Sequence, residues 1–186
     1  QRKEKTLPNI VLIISDDQEW EDYGFMGHKA IETPNLDRLA SESRLFTRGY
    51  VTAPLCGPSL ASIVTGLYPH QHGYTSNDPP YTGEGGSRWN PAEWTDKRRR
   101  LREQMISGTV KHPTIPDKLK KKDYLSLQTG KWWLGHYRRG GFTHGMTHGD
   151  MGRGGRHGDK GLDIGRKTMQ PIYDFIENAG DRPFFI

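Results

Sequence analysis

Asn9-Ile10-Val11-Leu12-Ile13-Ile14-Ser15-Asp16-Asp17 is the stretch on which the fold turns. The run from Ile10 to Ile14 is wholly apolar, too short for a core helix, and without polar alternation. It reads as a strand of a parallel sheet covered on both faces, since only such a strand is apolar throughout. The expected class is therefore α/β, a mostly parallel central sheet with helices on both faces. Asp16 and Asp17 follow at the strand's carboxyl end, the edge where open α/β sheets bind ligands. Adjacent carboxylates there serve either as a turn and helix cap or as hard oxygen ligands for Ca²⁺ or Mg²⁺.

Further along, Thr33-Pro34 opens a helix, with Leu36, Leu39 and Ala40 on one face. Leu45 to Val51 reads as a second strand. It leads into Pro54-Leu55-Cys56-Gly57-Pro58-Ser59-Leu60-Ala61-Ser62-Ile63-Val64-Thr65-Gly66, which holds the only cysteine of the 186 residues. Pro58 and Ser59 suit a first helical turn, and Leu60, Ile63 and Val64 recur at helical spacing. Cys56 is thus expected where a loop enters a helix, beside unused amide groups that favour anions and a negatively charged nucleophile. A buried structural cysteine is the ordinary alternative. Because strand ends gather at one edge, Asp16, Asp17 and Cys56 are expected to meet.

From Asn77 to Thr109 the pattern dissolves, so residues 77–113 read as a long surface insertion with a short helix over 91–105. Its Trp89 and Trp94 suit either stacking on sugar rings or anchoring the loop. Ile115 to Lys122 reads as a helix and Leu125 to Thr129 as a strand, ending in Gly130-Lys131-Trp132-Trp133-Leu134-Gly135. Residues 138–166 form a Gly/His-rich stretch with neither zinc-finger nor HExxH spacing. Thr168 caps a last helix with Met169, Ile172, Tyr173 and Ile176 inward and Gly180 at its end, and Pro183 to Ile186 begins another buried strand.

A net charge of +5 suits a nucleic acid, an acidic polysaccharide or a small anion. The basic residues are scattered apart from Lys97–Arg100 and Lys118–Lys122, and no nucleic-acid-binding motif accompanies them, so no nucleic-acid partner is expected. No run approaches the about 20 apolar residues of a membrane span, and no membrane association is expected. A single cysteine excludes an internal disulfide. No signal peptide is visible; the polar start from Gln1 to Lys5 fits a trimmed N-terminus, and a periplasmic or secreted location is expected.

Taken together, the motifs resemble the sulfatases of the alkaline-phosphatase superfamily. The strand with Asp16-Asp17 looks like the family's opening, and Thr33-Pro34-Asn35-Leu36-Asp37-Arg38-Leu39-Ala40 has the form this segment takes there. Cys56-Gly57-Pro58-Ser59-Leu60, followed by Thr65-Gly66, is similar to the signature Cys-x-Pro-Ser-Arg…Thr-Gly. Gly130 to Gly135, preceded by Tyr124, is similar to Gly-Lys-Trp-His-Leu-Gly. The resemblance implies that residues 1–186 are the N-terminal part of one sulfatase catalytic domain. It implies a formylglycine made from Cys56 as nucleophile, Lys131 as sulfate contact, and Ca²⁺, or Mg²⁺, on Asp16, Asp17 and residue 56. One hydroxyl of the hydrated aldehyde would attack sulfur and form a sulfo-enzyme; the other would lose its proton and expel sulfate. An aryl sulfate or a sulfated carbohydrate is the implied substrate. The remaining metal ligands, a lysine and a histidine are implied to lie in a C-terminal part outside this sequence. Leu60 and Trp133 depart from the family's Arg and His, and His136, His144 and His157 are candidate substrate contacts that would fill the gap. Two other readings stay open: a phosphatase or phosphodiesterase of the same superfamily, against which a cysteine speaks, and a non-catalytic binder of sulfated glycans.

Overall fold

The computed structural model describes residues 7–80, 95–149, 163–164 and 166–186. Their elements are helices α1 (Pro34–Glu42), α2 (Cys56–Thr65), α3 (Pro69–His72), α4 (Asp96–Val110), α5 (Ile115–Lys120) and α6 (Gln170–Ala179), with strands β1 (Leu125–Gln128), β2 (His144–Gly145) and β3 (Phe184–Phe185). The chain divides into two compact units, Gln1–Leu12 with Thr52–Ile186, and Ile13–Val51.

In the first unit the strands lie in the order β2-β1-β3, all parallel, with Leu127 opposite His144 and Leu125 opposite Phe184. Ile10 joins the far side of β3, also in parallel. Its amide donates to the Phe184 carbonyl (2.8 Å) and its carbonyl accepts from Ile186 (2.9 Å), while the Leu12 amide donates to Ile186 (2.8 Å). The opening stretch therefore pairs as expected, but it is not covered on both faces: Val11 and Leu12 are exposed. Among the described residues it pairs on one side only and forms the sheet's edge.

Successive residues of a strand face opposite ways, and β3 shows what that achieves here. Phe184 packs with Leu127 and with Phe175 and Ala179 of α6. Phe185 packs on the other side in a cluster with Tyr74, Ile106, Trp132, Trp133, Leu134 and Phe142. Helices thus cover both faces of the sheet. In α6 the inward positions are Phe175 and Ala179, with Ile172 half-buried, whereas Met169, Tyr173 and Ile176 are exposed. The inward face is rotated from the expected one because the Phe175 ring docks edge-on against Phe184, with centroids 6.1 Å apart.

Two stretches expected to be mainly loop are more ordered, and the short helix expected over 91–105 appears as α4, shifted to Asp96–Val110. In α4 the buried residues Arg98, Arg102, Ile106 and Thr109 form a stripe at helical spacing, so the described part of 77–113 contributes to the core instead of lying on the surface. Three of the four are polar, which hid the stripe from a hydrophobicity reading. Trp89 and Trp94 lie outside the described residues. Of 138–166, the described residues 138–149 include β2 and the buried Phe142 and Thr147 where a loop was expected, while His157 lies outside the described residues. The α5 start follows its sequence closely. The Thr114 hydroxyl accepts from the Asp117 amide (3.3 Å) and the Asp117 carboxylate accepts from the Thr114 amide (3.0 Å).

In the second unit, Thr33 at the start of α1 accepts from the Gly24 amide (2.8 Å) and donates to Asp37 (2.7 Å), which also takes the Phe25 amide (2.9 Å). This fastens the turn at Gly24–Met26 to the helix. Leu36 and Leu39, expected to face a core, are exposed. Leu45 to Val51 forms no strand: its backbone finds no ladder among the described residues, and Phe46 and Tyr50 stand 77% and 88% exposed.

Candidate active site

The site is built at the start of α2. Leu55 is extended (φ −137°, ψ 141°), and Cys56 is the first helical residue, half-buried against the core together with Leu60. The helix ends cleanly because Gly66 adopts φ +71°, a left-handed conformation open to glycine. Of the first-turn amides, Gly57 donates to Asn77 Oδ1 (2.7 Å), Ser59 donates to the Leu55 carbonyl (3.0 Å), and Pro58 has none. Part of the expected array of unused amides is therefore taken up by the protein itself. Gly57 has a second role. A Cβ at this position would stand 2.6 Å from Tyr74 Cε1, so the helix start and the Tyr74 ring approach as closely as they do only because residue 57 is glycine.

Lys131 arrives from the carboxyl end of β1 through Thr129 and Gly130, the latter at φ +71°. Its Nζ lies 3.8 Å from Cys56 Sγ. This brings together two residues 75 positions apart, the pair expected to carry the chemistry. The turn after Lys131 is anchored at the Trp133 carbonyl, which accepts from the Tyr74 hydroxyl (3.3 Å) and from Arg102 Nη2 (3.1 Å). Both departures from the expected signatures point inward. Trp133 is 3% exposed and belongs to the main apolar cluster, and Leu60 packs against that cluster.

A buried serine and histidine lie close by and invite a different nucleophile. His72 Nε2 is 3.0 Å from Ser62 Oγ, while His72 Nδ1 accepts the Tyr74 amide (3.0 Å). An amide can only donate, so Nδ1 bears no proton and the Nε2 proton faces Ser62. In that tautomer His72 cannot take the Ser62 proton. Burial, with His112 and His70 adding to it, holds His72 below the ordinary imidazole value and keeps it neutral. The pair is structural.

The other expected residues are placed as follows. Asp16 and Asp17 belong to the second unit, where both are exposed, and Asp17 holds a left-handed backbone (φ +52°). His136 is half-buried, stacked on Tyr137 at 4.4 Å and against His148 at 5.2 Å. Its contacts run along this aromatic group. His144 packs on Phe175 (5.3 Å), on the face of the sheet opposite the cluster that holds Cys56. Tyr74, Asn77 and Arg102 were not anticipated. The sequence signal for Tyr74 and Asn77 was Gly57 itself, a small residue that lets another side chain approach. For Arg102 it was helical spacing carried by arginines.

The family described as Sulfatase matches residues 8–186 of the chain. The N-acetylgalactosamine-6-sulfatase of Sus scrofa is 39% identical over 76% of this chain and 24% of its own length. The crystal structure of Ps i-CgsB superposes with a TM-score of 0.67 at 26% identity, covering 96% of this chain and 43% of that one. The structure of BT4656 in complex with its substrate D-glucosamine-2-N,6-O-disulfate does so with a TM-score of 0.62 at 26% identity, covering 96% and 33%. The chain thus spans about a quarter of the length of the curated relative.

Proposed function

The chain belongs to the sulfatase family, and from that premise we propose that the protein hydrolyses sulfate esters of carbohydrates at residue 56, a 6-O-sulfated amino sugar being the first substrate to try. The observation that carries this reading is the 3.8 Å approach of Lys131 Nζ to Cys56 Sγ at the first residue of α2. The substrate class is supported by the names of the relatives, which act on a sulfated N-acetylgalactosamine or bind a sulfated glucosamine. Lys131 places a positive charge where sulfate oxygens gather negative charge as the ester bond breaks. The half-buried position of Cys56 keeps its side chain reachable while the core fixes the helix beneath it.

A formylglycine made from Cys56 would supply a hydrated aldehyde as the nucleophile. A divalent cation would add positive charge for the sulfate oxygens. Asp16 and Asp17 fit such a cation: both carboxylates are exposed, and hard anionic oxygens suit Ca²⁺ first and Mg²⁺ second. Two carboxylates fall short of the about six to eight oxygens Ca²⁺ takes, so the proposal includes further oxygen donors from a C-terminal part of the same protein. Among the described residues no helix is long and apolar enough to cross a membrane, and a periplasmic or secreted location remains part of the proposal.

The test is sulfate release from N-acetylgalactosamine 6-sulfate and from 4-nitrophenyl sulfate. Cys56→Ala should abolish release with the fold retained, and Lys131→Met should lower it by about tenfold or more, the scale of one lost charge-assisted contact. Undiminished release by Cys56→Ala would refute the reading. A second reading, a binder of sulfated glycans without turnover, draws on the inward-facing Leu60 and Trp133. It requires a peptide around Cys56 that keeps its thiol after expression with the converting machinery, whereas the hydrolase requires CH₂SH replaced by CHO.

A further inference from the structure

We infer that Arg102 is a positioning residue for the Cys56–Lys131 pair and acts through the carbonyl of Trp133. Arg102 is 5% exposed, at the centre of the buried stripe of α4. A cation that deep normally meets a carboxylate, yet among the described residues none forms an ion pair with it, and Glu103 senses its charge only weakly, after Arg139. Its neighbour Glu103 is turned outward, held by both terminal nitrogens of Arg139 at 2.8 and 2.7 Å. Among the described residues Arg102 Nη1 has no acceptor, and the guanidinium donates from Nη2 to the Trp133 carbonyl at 3.1 Å. A buried charge spent on one neutral carbonyl is poor economy for the core alone, and it points to the importance of where that carbonyl is held.

The carbonyl joins both halves of the site. Trp133 lies two residues beyond Lys131, so fixing its carbonyl fixes the turn on which the lysine stands. A second donor to the same oxygen is Tyr74 (3.3 Å), whose ring lies against Gly57, the residue next to Cys56. Arg102 and Tyr74 therefore tie the lysine turn and the start of α2 to one atom. Loss of either donor should loosen the separation of Nζ and Sγ without removing an atom of the pair itself.

The inference rests on Cys56 and Lys131 as the reacting pair, but its test does not depend on turnover. In the full chain expressed with the thiol unconverted, formaldehyde bridges a lysine and a cysteine in close contact by one carbon, with loss of water, and Cys56 is the only cysteine. Mass spectrometry then reads the yield of the Cys56–Lys131 bridge. Arg102→Met should lower that yield by about tenfold, the effect of losing one hydrogen bond from a charged donor. Arg102→Lys, which keeps a charged donor, should recover most of it. Arg102→Gln, too short to reach the carbonyl, is the second variant should Arg102→Met fail to fold. A folded Arg102→Met or Arg102→Gln chain that bridges as well as wild type overturns the inference, as does a wild type that forms no bridge. A wild type that bridges, yet releases no sulfate once converted, refutes the hydrolase reading and leaves the positioning role standing.

Discussion

Gly57→Ala puts the geometry of the site to a quantitative test. The added methyl would sit 2.6 Å from Tyr74 Cε1, 3.4 Å from Tyr74 Cδ1 and 3.1 Å from Asn77 Oδ1. Tyr74 is fully buried and its hydroxyl is held at the Trp133 carbonyl, so the ring has nowhere to swing. Overpacking of this kind costs about 1–3 kcal/mol, and displacing Asn77 from the Gly57 amide adds about 0.5–1.5 kcal/mol. Against this stands the better helix propensity of alanine, about 1 kcal/mol in a helix interior and less in a first turn. The net is a loss of about 0.5–4.5 kcal/mol, or about 1–18 °C in Tm for a chain of this size. Gly108→Ala is the matched control. It also lies within a helix, but its Cβ would meet only the His72 carbonyl at an ordinary 3.7 Å. That change should raise Tm by a few degrees, from the same propensity gain of up to about 1 kcal/mol. Thermal unfolding followed by circular dichroism measures both. A Gly57→Ala protein as stable as wild type would refute the close approach of Tyr74 to the start of α2.

His72 titrates below its unfolded-state value of about 6.5, so its contribution to stability is fully present above that pH and is lost as pH falls through the lowered folded value. Tm should drop on acidification below pH 6.5 and drop less in His72→Gln; equal slopes in the two proteins would exclude His72 as the source. Phe175→Ala, which empties the space between Phe184 and His144, should cost about 3–5 kcal/mol, read as the denaturant midpoint at constant m. Ca²⁺ at about a hundred times its Kd should stabilise wild type by about 2.7 kcal/mol and leave Asp17→Asn unmoved; asparagine tolerates the left-handed backbone at this position. A calcium shift that survives in that variant would place the cation elsewhere.

The parts legible in the sequence were those where backbone and apolar signals agree. The helix from Ile115, the strand at Leu125 and the helix opened around Pro58 and Ser59 each follow from local chemistry alone. Illegible parts were those decided by partners distant in the chain. Ile10 reads as a central strand, yet among the described residues only β3 pairs with it. The stripe of α4 is carried by two arginines and a threonine, which no hydrophobic periodicity reveals. Cys56 and Lys131 were expected to act together from motif resemblance, while two of the groups that hold them, Asn77 Oδ1 and the Tyr74 hydroxyl, sit in a segment without a motif, and the third, the Trp133 carbonyl, is a backbone atom whose role no side-chain signature reveals.

The same geometry decides which force holds an anion at residue 56. The sequence favours the helix end, and a helix end offers about 0.3–1 kcal/mol to a charge at the surface. Here two of the amides that would deliver it are engaged, Gly57 with Asn77 and Ser59 with Leu55, and Pro58 lacks one. An ammonium about 4 Å from an anion contributes about 1 kcal/mol in water and about 4 kcal/mol near a protein surface, and Lys131 Nζ stands 3.8 Å from Sγ. The side chain therefore outweighs the helix. Sulfate affinity should fall steeply in Lys131→Met and only slightly in Asn77→Ala, which frees the Gly57 amide as it loosens the turn. A gain in sulfate affinity in Asn77→Ala together with little change in Lys131→Met, measured by sulfate inhibition or by calorimetry, would return the leading role to the helix end.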